Sequence, residues 1–490
     1  VRSAQGRAGL DIAVGALGVF VALAAAPPNA CWPLGIVVWA PTAWLAFSGH
    51  VARATALASA QGAAVAWSLA SGVSDALVRM DGTPPAVAIA LVGGWAAYEG
   101  VRGGLVAFLA SRGVRNGWPL LAAFPVAVVF AELVFPQLVP WTTCLFFHDA
   151  PILLQGAALG GPLVLSFGAA LAAAGLVEAT RRPGRLLVPA TVLASAALGG
   201  AIHLRAVDRA IGAAPRLEVG LVQAGTTESS LEDGTPLDVY RARSRELAGR
   251  AHVDLFVWPE AADAAPLSSS EVAPALSGLE APVLAGVLAR ETRAGVGALF
   301  NRAVVALPTG ALAGAYEKRH LMTFGEYVPG AESLPPLRGW APRLVAIAAG
   351  RELAPIAIGQ DHLLVRICVE ELLREDVREA VREADPGLLV GLSSDAWFGR
   401  GRVAALHSAL AKLRAVEEGR FLVRATTTGL SAVFDPAGRV VASLPPNSAA
   451  ATTASVRWLH ERTLYARAGD APFWALTPLP LVAALRRRRC

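Results

Sequence analysis

Asp254-Leu255-Phe256-Val257-Trp258-Pro259-Glu260 reads as a short strand that ends in a carboxylate. Four consecutive apolar residues suit a strand buried on both faces, and Pro259, which has no N–H for a ladder, stops it. The stretch Leu363-Leu364-Val365-Arg366-Ile367-Cys368 has the same layout with a thiol at its end. Working outward, β-rich runs recur at residues 217–223, 283–288, 302–307, 388–392, 421–425, 431–434 and 440–443, and amphipathic helical patterns fall at 237–250, 372–383 and 404–418. Strands alternating with helices predict a layered α/β domain. Sheets of this kind carry reactive groups where strands end, so Glu260 and Cys368 stand where chemistry is done. Asp435-Pro436-Ala437-Gly438 is the turn between the last two strands.

This polar half, residues 205 to about 466, follows a very different one. The whole chain is 54% hydrophobic and 17% charged, with a mean hydropathy of +0.49, against roughly 25% charge in soluble domains. An integral membrane protein is implied. Crossing a bilayer takes about 20 mostly apolar residues, and seven runs meet or approach that: 10–26, 34–48, 54–74, 84–101, 118–139, 151–178 and 186–204. Inner loops tend to hold Lys and Arg. With the N-terminus inside, Arg2, Arg7, Arg53, Arg102, Arg112, Arg115, Arg181, Arg182 and Arg185 fall on the inner side and Arg79 on the outer. The polar half is thereby placed outside the cytoplasm. A short apolar stretch, 471–485, followed by Arg486 to Arg489, reads as an eighth helix returning inward. The domains expected are a transmembrane region of about seven helices over 1–210, a catalytic domain over 211–466 and a C-terminal transmembrane helix over 467–490. Arg2 and Arg7 ahead of an apolar run, with Cys31 after Ala30, would also suit a cleaved leader, which Pro27-Pro28 and the further apolar runs disfavour. Glu99 and Glu132 lie in apolar context and are functional suspects, Glu99 equally a loop residue.

The net charge of +5 and pI near 9.3 do not argue for nucleic acid, because the arginines cluster between apolar runs rather than along one polar face. Cys31, Cys144, Cys368 and Cys490 show no metal or CxxC spacing and read as free thiols. Only two lysines occur beside 41 arginines. Lys412 sits in an amphipathic helix and reads as surface charge, whereas Lys318 lies in Tyr316-Glu317-Lys318-Arg319-His320-Leu321 between the Glu260 and Cys368 strands. A compact ammonium can sit beside a small oxyanion or a thiolate where the planar guanidinium cannot. Glu260, Lys318 and Cys368 are the candidate machine, and His320 and His407 read as structural hydrogen-bonders.

The set Val219-Gly-Leu-Val-Gln223, Val257-Trp-Pro-Glu260, Tyr316 to Leu321, Phe324-Gly-Glu-Tyr-Val-Pro329, Ile367-Cys-Val-Glu370 and Asp395-Ala-Trp-Phe-Gly399 resembles the carbon–nitrogen hydrolase (nitrilase) superfamily. With the apolar runs on either side, the chain is most similar to the bacterial apolipoprotein N-acyltransferase family. The resemblance implies a multi-pass helical membrane domain with a nitrilase-like αββα sandwich, in which Glu260 is general base, Lys318 the cation beside the oxyanion and Cys368 the nucleophile. It also implies that Glu326 orients the lysine, that Glu370 is an acidic supporting position, that the Val369 N–H shares the oxyanion, and that Asn301, Trp397 and Trp340 line the substrate site. The apolar segment 328–350 reads as a lid or as an insertion packed on the sandwich. No cofactor, metal or nucleic acid is implied. The partners implied are a phospholipid acyl donor and a diacylglyceryl apolipoprotein acceptor, met by a monomer in the bacterial inner membrane. Departures from the family pattern are Val369 where an aromatic is common, the absence of a tryptophan in 224–230, and Ser394 and Thr427 where asparagine is common. A membrane-anchored amidase or nitrilase and an inactive lipoprotein-binding relative are the alternatives; a transporter lacks support from paired internal charges or repeats.

Overall fold

The computed structural model describes residues 2–48, 50–225, 236–263, 265–293, 296–342, 344–398 and 401–485. Its chain falls into two units, one of Val1–Ser71, Ile89–Arg205 and Thr463–Cys490, the other of Gly72–Ala88 and Ala206–Arg462.

The first unit is helical. Among the described residues three helical stretches, Ala8–Ala25, Pro162–Ala179 and Pro183–Ala213, are long and apolar enough to cross a membrane. Several expected spans differ from the helices observed. The 34–48 run breaks into Trp32–Val37 and Ala40–Phe47. The 151–178 run breaks into Pro151–Leu154, Gly156–Gly160 and Pro162–Ala179. The last break has a local cause: Gly161 has φ +79°, and a Cβ there would lie 2.4 Å from the Tyr465 ring, while Pro162 then starts the next helix without needing an N–H partner. The 84–101 run is instead the first half of a 31-residue helix, Pro85–Arg115. Arg102 is therefore a helix residue and not an inner-loop cation, and Glu99 is not in a loop. Their charges meet at 3.2 Å, and Arg102 also donates to the Trp141 carbonyl at 2.9 Å and lies over its ring. Pairing of this kind is what lets two charges stay in an apolar helix. Glu132 accepts hydrogen bonds from the N–H and hydroxyl of Thr143 at 2.9 and 2.6 Å. The 471–485 stretch forms two short helices, Ala471–Trp474 and Pro478–Leu485, and Asn116 donates to the Ala483 and Ala484 carbonyls. Arg486 to Arg489 and Cys490 lie outside the described residues, as do 226–230.

The second unit is a sandwich. One sheet contains β1 (Arg216–Gln223), β2 (Leu255–Val257), β3 (Leu267–Ser268), β4 (Val283–Arg293), β5 (Val296–Ala306) and β6 (Leu312–Glu317); the other contains β7 (Ile356–Ile358), β8 (Asp361–Ile367), β9 (Leu388–Ser393), β10 (Phe421–Thr426), β11 (Ala432–Phe434) and β12 (Val440–Ser443). A last strand, β13 (Ala450–Arg457), returns to the first sheet. The orders are β13-β1-β2-β4-β5-β6, with β3 on β4, and β12-β11-β10-β9-β8-β7. Strands β1, β2 and β4 run parallel, as do β8, β9 and β10.

Side-chain alternation along each strand sorts the layers. Leu363, Val365 and Ile367 of β8 and Leu388, Val390 and Leu392 of β9 meet Leu217, Val219 and Leu221 of β1 in the core between the sheets. Leu364, Leu389 and Leu422 point the other way, onto Val377, Val381, Ala411 and Ala415 of the helices Arg374–Ala384 and Val403–Glu418. On the far side, Phe256, Trp258 and Val283 pack on Leu237, Tyr240, Val272 and Leu276 of the helices Pro236–Ala248 and Ser269–Leu276. The result is helix, sheet, sheet, helix, with each buried aliphatic side chain contributing roughly 1.5–3 kcal/mol.

A further piece of this unit comes from early in the chain. Gly72, at φ +93°, turns the backbone into the helix Val73–Asp81, and a Cβ on it would lie 3.1 Å from the Phe398 carbonyl and 3.4 Å from the Gly401 Cα. Only glycine allows that turn at that distance.

Candidate active site

Glu260 follows β2, whose end is anchored by Trp258. That indole is fully buried, stacks on Tyr240 and donates to Ser244 at 3.0 Å. The backbone then bends sharply, with Ala261 at φ +46°. Gly286 of β4 lies against the bend, where a Cβ would come within 2.5 Å of the Glu260 Cα. The carboxylate is thus turned into the sandwich's end. Its Oε1 accepts from Asn301 at 2.6 Å and from Lys318 at 3.5 Å, and its Oε2 accepts from the Ser394 N–H at 2.7 Å.

Lys318 leaves the end of β6, its N–H paired with the Asn301 carbonyl and its own carbonyl with the Gly350 N–H, both at 2.8 Å. The ammonium lies 2.9 and 2.8 Å from the two oxygens of Glu326. Glu326 is held in turn by Asn301 at 3.1 Å and by the Met322 N–H at 2.7 Å. Asn301, expected to line the substrate site, bridges two carboxylates through Nδ2, and its buried Oδ1 has no hydrogen-bond partner among the described residues.

Cys368 follows β8 at φ +56° and begins the 3-10 turn Cys368–Leu372. Glu370 pins this turn and the lysine loop together. It accepts from the Ile367 N–H (3.0 Å) with one oxygen, and from Tyr316 (2.8 Å) and the Arg319 and His320 N–H groups (2.7 and 3.0 Å) with the other. Asp376 adds a second tie, to Arg319, His320 and Arg366.

The electrostatics follow from burial and partner count. Burial pushes Glu260 up; Lys318 opposes this, and Glu326 adds to it. Burial likewise raises the Cys368 thiol well above its ordinary value; Glu260 adds to that and Lys318 opposes it. The thiol is therefore neutral at rest. For Lys318 burial works against the charge, but a Cys368 thiolate, Glu260 and Glu326 outweigh it and hold the amine protonated. A proton on sulfur, an unusually basic carboxylate and a fixed cation are the parts needed for base-assisted attack and oxyanion stabilisation. Among the described residues no group of three or more His, Cys, Asp or Glu is arranged to hold a metal ion.

Other expected site residues lie as follows. Trp340 is partly exposed in the 3-10 turn Pro335–Trp340 and stacks on Phe324. Trp397 belongs to the 3-10 turn Asp395–Phe398, its side chain outside the described residues, as is Gly399. The 328–350 segment is tied at its end to the site, through Ile347 N–H to the Glu326 carbonyl and Gly350 N–H to the Lys318 carbonyl. Its Leu334 and Val345 are exposed.

One group of residues was not anticipated as a unit. Beneath Cys368, Glu371, Asp395, His407 and Arg424 form a buried quartet. His407 Nε2 lies 2.6 Å from Glu371, and Nδ1 lies 3.5 Å from Asp395. Arg424 bonds Glu371 at 2.7 Å and both oxygens of Asp395 at 3.1 Å. An arginine inside the apolar strand Phe421–Thr426 was the available signal, since a buried guanidinium requires carboxylates. Lys412 is a correction. It is buried rather than a surface charge, its ammonium 5.6 Å from the Phe434 ring centroid, because this helix is covered along most of its length.

Comparison with known proteins agrees with both halves. The carbon-nitrogen hydrolase family matches residues 218–458, and the apolipoprotein N-acyltransferase N-terminal domain matches 17–175. The apolipoprotein N-acyltransferase of Azotobacter vinelandii is 31% identical over 96% of this chain and 89% of its own. The chain belongs to the apolipoprotein N-acyltransferase family. It is an N-acyltransferase of lipoproteins with a nitrilase-like catalytic fold. The family member of Geobacter metallireducens is 28% identical over 96% of this chain and 94% of its own. A CN-hydrolase superfamily protein from Xanthomonas campestris shares 22% identity, covers 55% of this chain and 97% of its own, and superposes with a TM-score of 0.36.

Proposed function

We propose that this acyltransferase moves a fatty acyl chain from a membrane phospholipid to the N-terminal amine of an S-diacylglyceryl-cysteine lipoprotein through a thioester on Cys368. The reading is carried by one observation: a buried thiol, a buried carboxylate and a lysine clamped by a second carboxylate converge at the ends of β2, β6 and β8. Glu260 takes the thiol proton as sulfur attacks the ester carbonyl. The oxygen that becomes negative is held by Lys318 and the Val369 N–H, and losing one such donor raises the barrier by about 3 kcal/mol. The ester C–O bond then breaks, Glu260 returns the proton to the departing lysophospholipid oxygen, and Cys368 holds the acyl group. In the second half an amine attacks the thioester carbon, its proton passes to Glu260, the C–S bond breaks, and an amide and the free thiol result. Glu326 and Asn301 keep Lys318 and Glu260 in register, and Glu370 holds the two reactive loops together. Trp340 lines the acyl path on this reading.

Membrane embedding suits a reaction whose donor and acceptor are both lipids. The helical half, 1–210, and the 467–490 segment span the bacterial inner membrane, and the domain 211–466 lies on its outer side as part of a monomer. Support comes from the arginines: Arg53, Arg112, Arg115, Arg181, Arg182 and Arg185 fall on one side of the apolar runs. The segment 72–88 leaves on the other side, and it is grouped with the sandwich. The deciding experiment is intact-protein mass measurement after incubation with phosphatidylethanolamine. Wild type should gain one fatty-acyl mass and Cys368→Ala none. No gain with any phospholipid, together with turnover of a simple amide, would replace this reading with a membrane-anchored amidase.

A further inference from the structure

The Cys368 carbonyl and the Val369 N–H belong to one peptide unit, and in a trans peptide they point in opposite directions. Cys368 has φ +56°, a left-handed conformation that a residue with a Cβ keeps only when its surroundings hold it. Val369 is the second residue of the 3-10 turn, where an N–H has no intrahelical carbonyl to meet. The oxygen of the same peptide lies 3.2 Å from Nε2 of His407. That ring is caged: Glu371 comes from the nucleophile's own turn, Asp395 from the loop after β9, and Arg424 from β10, bonding both carboxylates. Nε2 faces Glu371 and the Cys368 carbonyl and Nδ1 faces Asp395, all acceptors, so both ring nitrogens carry protons, and Nε2–H is shared between Glu371 and the Cys368 carbonyl.

We infer that His407 is a positioning residue for acyl transfer, an inference that rests on the Cys368 and Val369 assignments above. Its Nε2–H holds the Cys368 carbonyl toward the helix layer, which keeps the Val369 N–H turned to the oxygen that gains charge in the tetrahedral intermediate. Without that donor the peptide can rotate, and a carbonyl in place of the N–H would repel the oxyanion.

Two reactions of Cys368 separate this from a general structural role. Acylation by a p-nitrophenyl ester builds an oxyanion; alkylation by iodoacetamide does not, although both need the deprotonated thiol. In the full-length protein in detergent, His407→Leu is expected to slow acylation about 100-fold and to change alkylation less than about threefold. Parallel losses in both reactions, or no loss in either, overturn the inference. Should His407→Leu fail to fold, the milder His407→Gln is expected to show the same selective loss at about tenfold, and parallel or absent losses there overturn it equally. Wild-type protein that accepts no acyl group from any ester would remove the catalytic reading itself, whereas normal wild-type acylation with an insensitive position 407 removes this inference alone.

Discussion

Two groups of buried charge meet at the Cys368 turn, and they respond to burial in opposite ways. The reactive group sets one cation, Lys318, against two carboxylates, Glu260 and Glu326. The group beneath it sets His407 and Arg424 against Glu371 and Asp395. Burial is the leading cause for Glu260, Glu371 and Asp395 alike, yet Glu260 ends above its ordinary value, while Arg424 and His407 take Glu371 and Asp395 below theirs. Burial also opposes the His407 charge, but Glu371 leads the groups that carry it up to about 9. Partner count decides the outcome. An unbalanced cluster leaves a carboxylate that takes up a proton more readily; a balanced one locks its charges and serves as framework.

The largest expected break is Lys318→Arg. It keeps the charge but not the shape that fits between Glu260 and Glu326, and single-turnover acyl-enzyme formation should fall by about 10³-fold. Near-normal rates would show that charge alone suffices. Glu326→Gln sharpens the comparison by bringing the reactive cluster closer to balance. The rate should drop about 10–100-fold. Because Glu326 helps to raise Glu260, the acid limb of the kcat/KM profile, set by loss of the Glu260 proton, should also move to lower pH; a limb that stays put would assign it to another group. Gly391→Ala attacks the framework cluster from β9. Its Cβ would lie 2.0 Å from a Glu371 oxygen, so a loss of about 1–3 kcal/mol in denaturant unfolding is expected.

The smallest effect is a pH trend. His407 is raised from 6.5 to about 9 in the fold, so its contribution to stability is complete below pH 6.5 and is lost as pH rises through about 9. The melting temperature of wild type should decline across that window, and His407→Leu should flatten the decline.

Glu260, Lys318 and Cys368 stand out in the sequence, two by ending apolar strands and one by being a lysine among arginines. The strands read at 388–392 and 421–425 are equally plain because they are buried on both faces and so mostly apolar. β13 was not, since Ala450-Ala-Thr-Thr-Ala-Ser-Val-Arg457 has little strand character of its own and is held by eight antiparallel partners on β1. The β4–β5 hairpin extends past its apolar part because Glu291 pairs with Arg293 and Arg302, and Glu317 with the same two arginines. The framework quartet escaped because its members come from four elements and only the fold brings them together; Arg424 is one arginine among 41. The interruptions in the helical half escaped because hydropathy averages over glycines and prolines that break a helix.

Gly72 has a practical consequence. A soluble enzyme cut from this chain at residue 206 would lack the helix Val73–Asp81, and the loop carrying Phe398 would be left with bare backbone where Gly72 now sits. Dissecting the protein into membrane anchor and free catalyst therefore calls for a graft of 72–88 as well as a truncation, and a fragment made by truncation alone would be an incomplete fold rather than a minimal one.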